Sequence, residues 1–507
     1  MRWRAAALLV LCAAGAAHAE DYWAYRTKDL DVMASGSKAY ALSIAQRVNA
    51  LDDALMTIFG EQGSLSHVPT HIYVLPAAEL AELNPQWSDH SGAYFSAGPL
   101  EAVLVMQSEN EGPARLDDVY RQRALSWLTE HGLARMPDWF LNGYAQIVAA
   151  ASVDNDHLLL GQSLPDKMAE LAKVRWYRID QVLRQPSNDP IFNGSPADRA
   201  FYDAECWWLA HLVMFDGSLG DTMVDYLKQL RQGASQDLAY ARSFKVAYDT
   251  LDEQLRKLRR NLKPKTVSVD LVALPEDVEP RPLEETAVRA RLAELAVMSG
   301  DYSERSGQRI ATALTRAPSD ERAQLAHLHY SVATRKYDKI GDSLQPLLAR
   351  DDLDDYAART LAVQLVALAN QRASGIPGLQ AYDNGQLHTH ARRLLTRAMD
   401  LNAADPVSRF ELGRLYASEG DLAAIRELLP AVEKACMDRP FNADLANLLM
   451  KLYALDGNAE KQFAYALRTY ELSGSSLLRK QALQRARRLE PIVKPAADAT
   501  KKAAKTP

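Results

Sequence analysis

Three cysteines in 507 residues are too few for a disulfide framework, so the fold must be held by its cores. There is no Gly-rich phosphate loop and no G-x-S-x-G elbow, which excludes the nucleotide-binding and serine-hydrolase readings that rest on those motifs. H-E-x-x-H, which sets two imidazoles on one helix face toward a metal, occurs nowhere. The reversed form H-x-x-E-H fails as well, because Trp127 stands where a His should precede Glu130-His131. Basic charge is not in excess: 59 Lys and Arg face 65 Asp and Glu, the net charge is −6, and no basic stripe is interleaved with aromatics, which argues against nucleic acid as a partner. No transmembrane segment is expected, since no stretch is long and apolar enough to span a bilayer as a helix.

What is present is the composition of a globular protein, 48% hydrophobic and 24% charged, at a length that asks for two or three domains. Residues 1–19 read as a secretory signal peptide. Arg2 and Arg4 give a positive start, Ala5–Leu11 an apolar run, and Ala17-His18-Ala19 a cleavage site before Glu20. Leu11 stands before Cys12 where a lipidation signal needs a small residue, so ordinary cleavage and a periplasmic or secreted address are expected. Cys206 and Cys436 then remain, both on apolar helical faces, and read as buried free thiols.

Residues 20–262 combine strands and helices. Tyr22–Ser35 alternates as a strand or hairpin, Lys38–Phe59 has helical periodicity, and His71–Leu75 is a short strand. A short helix at Ala77–Leu83 and strands at Ala93–Phe95 and Ala102–Met106 follow. Beyond Gly161 the pattern is helical, with helices expected at Asp166–Arg184, Phe201–Phe215 and Phe244–Leu262. Pro264, Pro275, Pro280 and Pro282 mark 263–282 as a linker, with room for one strand at Val267–Leu274. Residues 283–490 are all helix, and 491–507, rich in Ala, Lys and Pro, read as a disordered tail.

Two segments carry resemblances. Around Tyr120–Ile147 one helix, a short loop and a second helix opening at Met136-Pro137 follow in turn. Pro137, Trp139, Phe140, Gly143, Tyr144 and Ala145 match the second-helix pattern P-x-W-F/L/Y-x-E-G-F/L/Y-A-E of gluzincin metallopeptidases, and the stretch resembles that family's active-site core. The helix F-Y-D-A-E-C-W-W-L-A-H-L-V-M-F at 201–215 resembles the one behind that site, so the likeness covers about Tyr22 to Leu262. It implies an α+β zincin-like lobe. The family's H-E-x-x-H falls on Arg121-Gln122-Arg123-Ala124-Leu125, or one residue earlier, and its two Glu positions on Asn142 and Gln146. Arg121, Gln122, Arg123, Ala124, Asn142 and Gln146 therefore mark a vestigial site, with no catalytic residue, metal or cofactor expected. Guanidinium groups there repel a dication. Arg121 and Arg123 read either as ordinary exposed or ion-paired helix residues or as a repurposed anion site.

From Glu284 on, Gly300-Asp301-Tyr302, Lys336-Tyr337-Asp338, Leu412-Gly413, Tyr416 with Gly420-Asp421, and Tyr453 with Gly457-Asn458 recur near the ~34-residue period of tetratricopeptide (TPR) repeats, which the segment resembles. Four to five units are expected, with Gly375–Gly385 inserted between units and Pro430 interrupting a second helix. His327-x-His329 and His388-x-His390 are poorly spaced for chelation on a helix.

The whole reads as mainly α: a zincin-like α+β lobe followed by an all-α solenoid. The resemblances imply an exported, non-catalytic scaffold that takes a protein or peptide partner on the concave face of the repeats. The alternative is an envelope metallohydrolase with ligands drawn from outside the motif, such as His90, His131, His157 and His211 with Glu130 or Glu205. A third reading makes the first lobe only a structural cap. Export has its own check: N-terminal sequencing of the mature protein should begin at Glu20, and a lipidated Cys12 would place it on a membrane instead.

Overall fold

The computed structural model describes residues 21–27, 30–58, 69–89, 92–98, 101–108, 120–121, 123–125, 127–128, 136–154, 157–173, 175–215, 217–231, 234–260, 263–271, 278–371, 382–403, 405–439 and 442–503. The signal-peptide stretch, Gln122, Glu130, His131 and His90 lie outside these residues.

A six-stranded mixed sheet organises the first half. Its strands are β1 (Tyr22–Arg26), β2 (Leu30–Ser35), β3 (Thr70–Leu75), β4 (Gly92–Gly98), β5 (Glu101–Gln107) and β9 (Arg281–Leu283), in the order β4-β5-β3-β2-β1-β9. β1 and β2 form an antiparallel hairpin, whereas β2, β3 and β5 run parallel. The crossover from β2 to β3 is α1 (Lys38–Ile58). Strands covered on both faces read as nearly continuous apolar runs, as T-H-I-Y-V-L does. One face, with Val32, Ala34, Ile72, Val74, Leu104 and Met106, packs on Ala41, Ile44, Ala45 and Val48 of α1. The other carries Met33, Tyr73, Leu75, Val103 and Val105.

Two short helices follow β3, α2 (Ala77–Leu83) and α3 (Pro85–Asp89). A helical module then gathers α4 (Asp138–Ala149), α5 (Pro165–Leu171), α6 (Ile179–Arg184), α7 (Pro190–Asn193), α8 (Pro196–Phe215), α9 (Gly217–Arg231), α10 (Gln236–Ser243) and α11 (Tyr248–Arg260). Its core joins Trp139, Phe140, Trp207 and Trp208 to Leu51 and Leu55 at the far end of α1. A small sheet of β6 (Ser152–Asp154), β7 (His157–Leu160) and β8 (Val267–Asp270) lies beside it.

Two expected helices are each broken. Asp166–Arg184 divides into α5 and α6, because Tyr177 turns inward and its backbone N–H donates to the buried Glu205 Oε1 (3.1 Å). Phe244–Leu262 is broken at its start: Phe244 is the C-cap of α10, Lys245 takes a left-handed φ of 56°, and α11 begins at Tyr248. The stretch read as a linker supplies β8, and β9 at its end pairs with β1, so this chain is woven into both sheets.

The second half stacks helix pairs: α12 (Glu285–Met298) with α13 (Glu304–Arg316), α14 (Glu321–Thr334) with α15 (Ile340–Leu348), α16 (Asp355–Asn370) with α17 (Asn384–Leu401), α18 (Pro406–Glu419) with α19 (Leu422–Asp438), and α20 (Ala443–Asp456) with α21 (Ala459–Leu472), closed by α22 (Ser476–Ala503). Left-handed residues end the first helices at Gly300, Arg335, Gly420 and Gly457, and a Ser, Asp or Asn side chain caps several following helices. Part of the Gly375–Gly385 insertion lies outside the described residues. Its flanks place it within the third pair, between α16 and α17, not between units. Pro430 does not interrupt α19, since it sits on the exposed side where water can take up the lost backbone bond. The expected disordered tail is helical through Ala503, consistent with the helix propensity of Ala and Lys.

Successive first helices pack on one another from α12 through α14, α16 and α18 to α20, while second helices pack on their flanking first helices. The first helices therefore form one continuous layer. The sheet covers that layer over the first three pairs, where an open face is expected from the sequence. Val288 and Leu295 of α12 join the apolar face of the sheet. At the end of the strands Arg26, Asp31 and His71 stand in a charged row on three strands, and Glu101 of β5 comes within 3.8 Å of His71 Nε2. Asp31, 6% exposed, accepts from Arg291 Nη1 (2.8 Å) and Arg322 Nη2 (2.5 Å). Arg322 also reaches Glu294, Arg26 pairs with Asp354 and Asp355, and Arg359 bridges Glu101 and Asp405. Burial alone would raise the Asp31 carboxyl, but Arg291 and Arg322 outweigh it and hold it well below the usual range. Burial likewise lowers His71, with Asp31 opposing.

Removing one member of such a cluster strands the others in the interior. Asp31→Ala should cost ~3–5 kcal/mol in urea unfolding. A chain cut near residue 262 should bind a hydrophobic dye through the uncovered Met33, Tyr73, Val103 and Val105. A dye-silent, cooperatively folding fragment would show that the halves do not depend on this interface.

Candidate functional site

The positions that the gluzincin pattern singles out fall partly within the described residues. In the helical stretch within 120–128, Tyr120, Ala124, Trp127 and Leu128 point into the large core. Arg123 is 2% exposed, and an unpaired guanidinium could not persist there. It forms a two-point ion pair with Asp52 of α1, Nε to Oδ1 at 2.9 Å and Nη2 to Oδ2 at 2.6 Å. Arg121 is half-buried. Arg123 thus has the ion-paired role that was one of the two readings of these arginines.

On α4 the amides turn toward α8. Asn142 Nδ2 donates to Asp203 Oδ1 (2.7 Å), and Gln146 Nε2 donates to Asn142 Oδ1 (3.2 Å) and to the Asp203 carbonyl (3.0 Å). Arg199 completes the chain at Asp203 Oδ1, 3.0 Å away. The two carboxylate positions of the gluzincin pattern are here filled by amides bound to one another and to Asp203. No group of three or more His, Cys, Asp or Glu side chains suited to a metal occurs among the described residues.

Of the residues considered for a displaced site, the described ones, His157, His211 and Glu205, are not brought together. His211 lies on α8, and its Nε2 sits 3.2 Å from the Gly161 carbonyl and 3.1 Å from that of Lys265. Glu205, six positions earlier on the same helix, faces another way at ~100° per residue. Burial raises its carboxyl well above the ordinary range. His157 pairs at the surface with Asp270. Burial also pushes the Cys206 thiol up, as befits a structural cysteine. His327 bonds Ser343, His329 bonds Tyr302, and His388 pairs with Glu419, so these histidines serve the array.

A groove of about 1310 Å³ lies between the two halves, and no sequence motif announces it. One wall is α2 with the end of β1, the other α12 and α13, and β9 borders it at the sheet edge. Within the first wall Tyr22 Oη donates to Glu79 (2.5 Å), and the two walls are tied across by Arg309 Nη2, which donates to Glu82 Oε1 (3.3 Å). Leu83, Val288 and Leu292 give it an apolar strip, while Glu284, Glu285, Arg289 and Arg305 supply charge of both signs.

No family model and no curated protein matches the chain. Among solved structures, part of the chain is similar to two TPR proteins. One is TTC0263, a thermophilic TPR protein in Thermus thermophilus, at 18% identity and a TM-score of 0.30, covering 39% of this chain and 98% of that one. The other is YrrB, a TPR protein with an unusual peptide-binding site, at 21% identity and a TM-score of 0.30, covering 39% of this chain and 92% of that one. Likenesses this distant carry no functional argument, and the repeat architecture stands on the helix pairs themselves.

Gly143 shows how tightly α4 is seated. A Cβ there would lie 2.0 Å from the Cys206 carbonyl oxygen and 2.8 Å from the Ala210 Cβ. The close neighbour is α8, not the 120–128 helix that the family pattern implies. Gly143→Val should therefore lower the melting temperature strongly, at or beyond the ~1–3 kcal/mol usual for overpacking. Asn142→Ala, which loses a part-buried hydrogen bond, should cost ~1–2 kcal/mol. A Gly143→Val melt equal to wild type would refute this close packing.

Proposed function

We propose that the chain is an exported, non-catalytic binding protein, built from a gluzincin-like lobe without its ligand set and a TPR-like array, and that it holds a protein or peptide partner. One observation carries this reading. At the two Glu positions of the resemblance the side chains are amides committed to neighbours, Asn142 and Gln146 both to Asp203, and within the stretch on which H-E-x-x-H falls Arg123 is committed to Asp52. A hydrolase would need those positions, or a replacement set, turned toward a shared point.

The groove supports the binding half of the proposal. With the first helices of the first three pairs covered by the sheet, an extended segment finds its opening between α2 and α13 instead. There an apolar strip lies beside an edge strand and charges of both signs, the mix that recognition of an extended peptide uses.

Two measurements test the two halves. Purified mature protein should hold well under one equivalent of zinc, and hydrolysis of a casein substrate should stay at background in wild type, Arg121→Ala and Asn142→Ala alike. Metal-dependent hydrolysis abolished by Asn142→Ala would overturn the reading. A photo-crosslinker at Gln308, in the groove wall, should capture a partner in whole cells that the same group at exposed Met437 does not. Identical capture from both positions would remove the groove from the proposal.

A further inference from the structure

Charge in this acidic protein is unevenly placed. The final helix, α22, carries eight Lys and Arg against two Asp and Glu, a net +6, so the rest of the chain is at −6 − 6 = −12. The helix is anchored. Ala482 and Ala486 join a cluster with Ala466 of α21 and Met450 of α20, and Leu489 is buried on the same side. At ~100° per residue the opposite side presents Leu477, Lys480, Arg487 and Arg488, with Ile492 at its margin and Arg485 on the flank between it and the anchored side. All six are exposed, Leu477 at 65% and Ile492 at 61%. Lys480, Arg485, Arg487 and Arg488 make no ion pair with another described residue, so their charge is not spent inside the fold.

We propose that this face of α22 is a docking surface for an anionic phospholipid bilayer. Charge complementarity selects an anionic partner, and the two apolar side chains select a bilayer among anionic partners. Leu477 and Ile492 flank the basic residues along the helix axis, where they can enter the acyl boundary while the longer cationic side chains reach headgroup phosphates. A nucleic acid offers no such apolar layer, and the helix has no aromatic side chain on which a base could stack. Among the described residues α22 packs on α21, and its basic face is exposed and can lie on a flat surface. The binding so described is peripheral, a helix in the headgroup plane and not a span.

The test is sedimentation of the full chain with vesicles. Binding to phosphatidylglycerol-containing vesicles and none to pure phosphatidylcholine, weakened by salt, is expected. Combined Arg485→Glu, Arg487→Glu and Arg488→Glu should weaken it on the order of a hundredfold, from about a tenfold effect or somewhat less per basic residue. Leu477→Asp with Ile492→Asp, which leaves all basic residues in place, should also weaken it by roughly tenfold. Both variants alter exposed positions and should melt as wild type does; if the triple variant does not, the apolar pair decides. Equal binding to both lipids, no binding to either, or indifference to the apolar pair overturns the proposal. So does binding to nucleic acid, but not to vesicles, that the arginine changes abolish.

Discussion

The carboxylate of Asp31, shared by Arg291 and Arg322, is the constraint on which the arrangement of the molecule rests. It lies on a central strand, whose neighbours at that level are Arg26 and His71. An ionised group so placed is tolerable only if the element laid over it brings opposite charge. The first helices of the array bring it, with Arg291 on α12 and Arg322 on α14. Apolar burial drives the sheet onto these helices, but burial is non-directional. The charged row supplies the direction, because a slide of one turn along α12 would leave Asp31 facing a side chain that cannot pair with it.

The same logic explains how a core can keep its shape where the resemblance leads one to expect metal ligands. Inward positions on a buried helix must be apolar or satisfied. Arg123 is satisfied by Asp52 from α1, a helix that also backs the sheet, so the ion pair joins the helical module to the sheet layer. Asn142 and Gln146, one turn apart on α4, bind the side chain and the carbonyl of Asp203 and so join α4 to α8. On the proposed reading these contacts supply the cross-links between elements that ligands of a shared ion would otherwise make, with one difference. An ion draws its ligands to a point, whereas these bonds run pairwise and leave no open coordination site.

Much of the secondary structure was legible, because it follows from local pattern. The hairpin at 22–35, α1, α2 and the Gly-Asp turns of the array have periodicity or turn residues that announce them. What was not legible depends on distant partners. Nothing near Lys245 marks it as the residue to take a positive φ, nor does anything near Tyr177 tell that it turns toward Glu205. Prolines at 280 and 282 suggested a linker, yet β9 is an edge strand of three residues, and on an edge a Pro can be tolerated. Spacing singles out Arg123, Asn142 and Gln146 but not their bonds: Asp52 and Asp203 lie 71 and 61 residues from their partners. The interface did leave one sign. Asp31, in the strand L-D-V-M-A-S, shares its inward face with Met33, and a charge in that register asks for a buried partner.

On the proposed reading, the sheet that covers the layer of first helices also shapes binding. In an open solenoid the recognition surface belongs to the repeats alone. Here the groove has walls from both halves, α2 on one side and α13 on the other, and the separation between them is set by how the sheet sits on α12, α14 and α16. A partner lying in the groove touches both walls and so favours the docked arrangement over any in which the halves part, which is stabilisation by mass action. The linkage runs both ways: a loosened sheet interface lowers the fraction of molecules with an intact groove, and apparent affinity falls by that fraction. Binding and the Asp31 cluster are then coupled without any contact between them, since both depend on the same docked geometry.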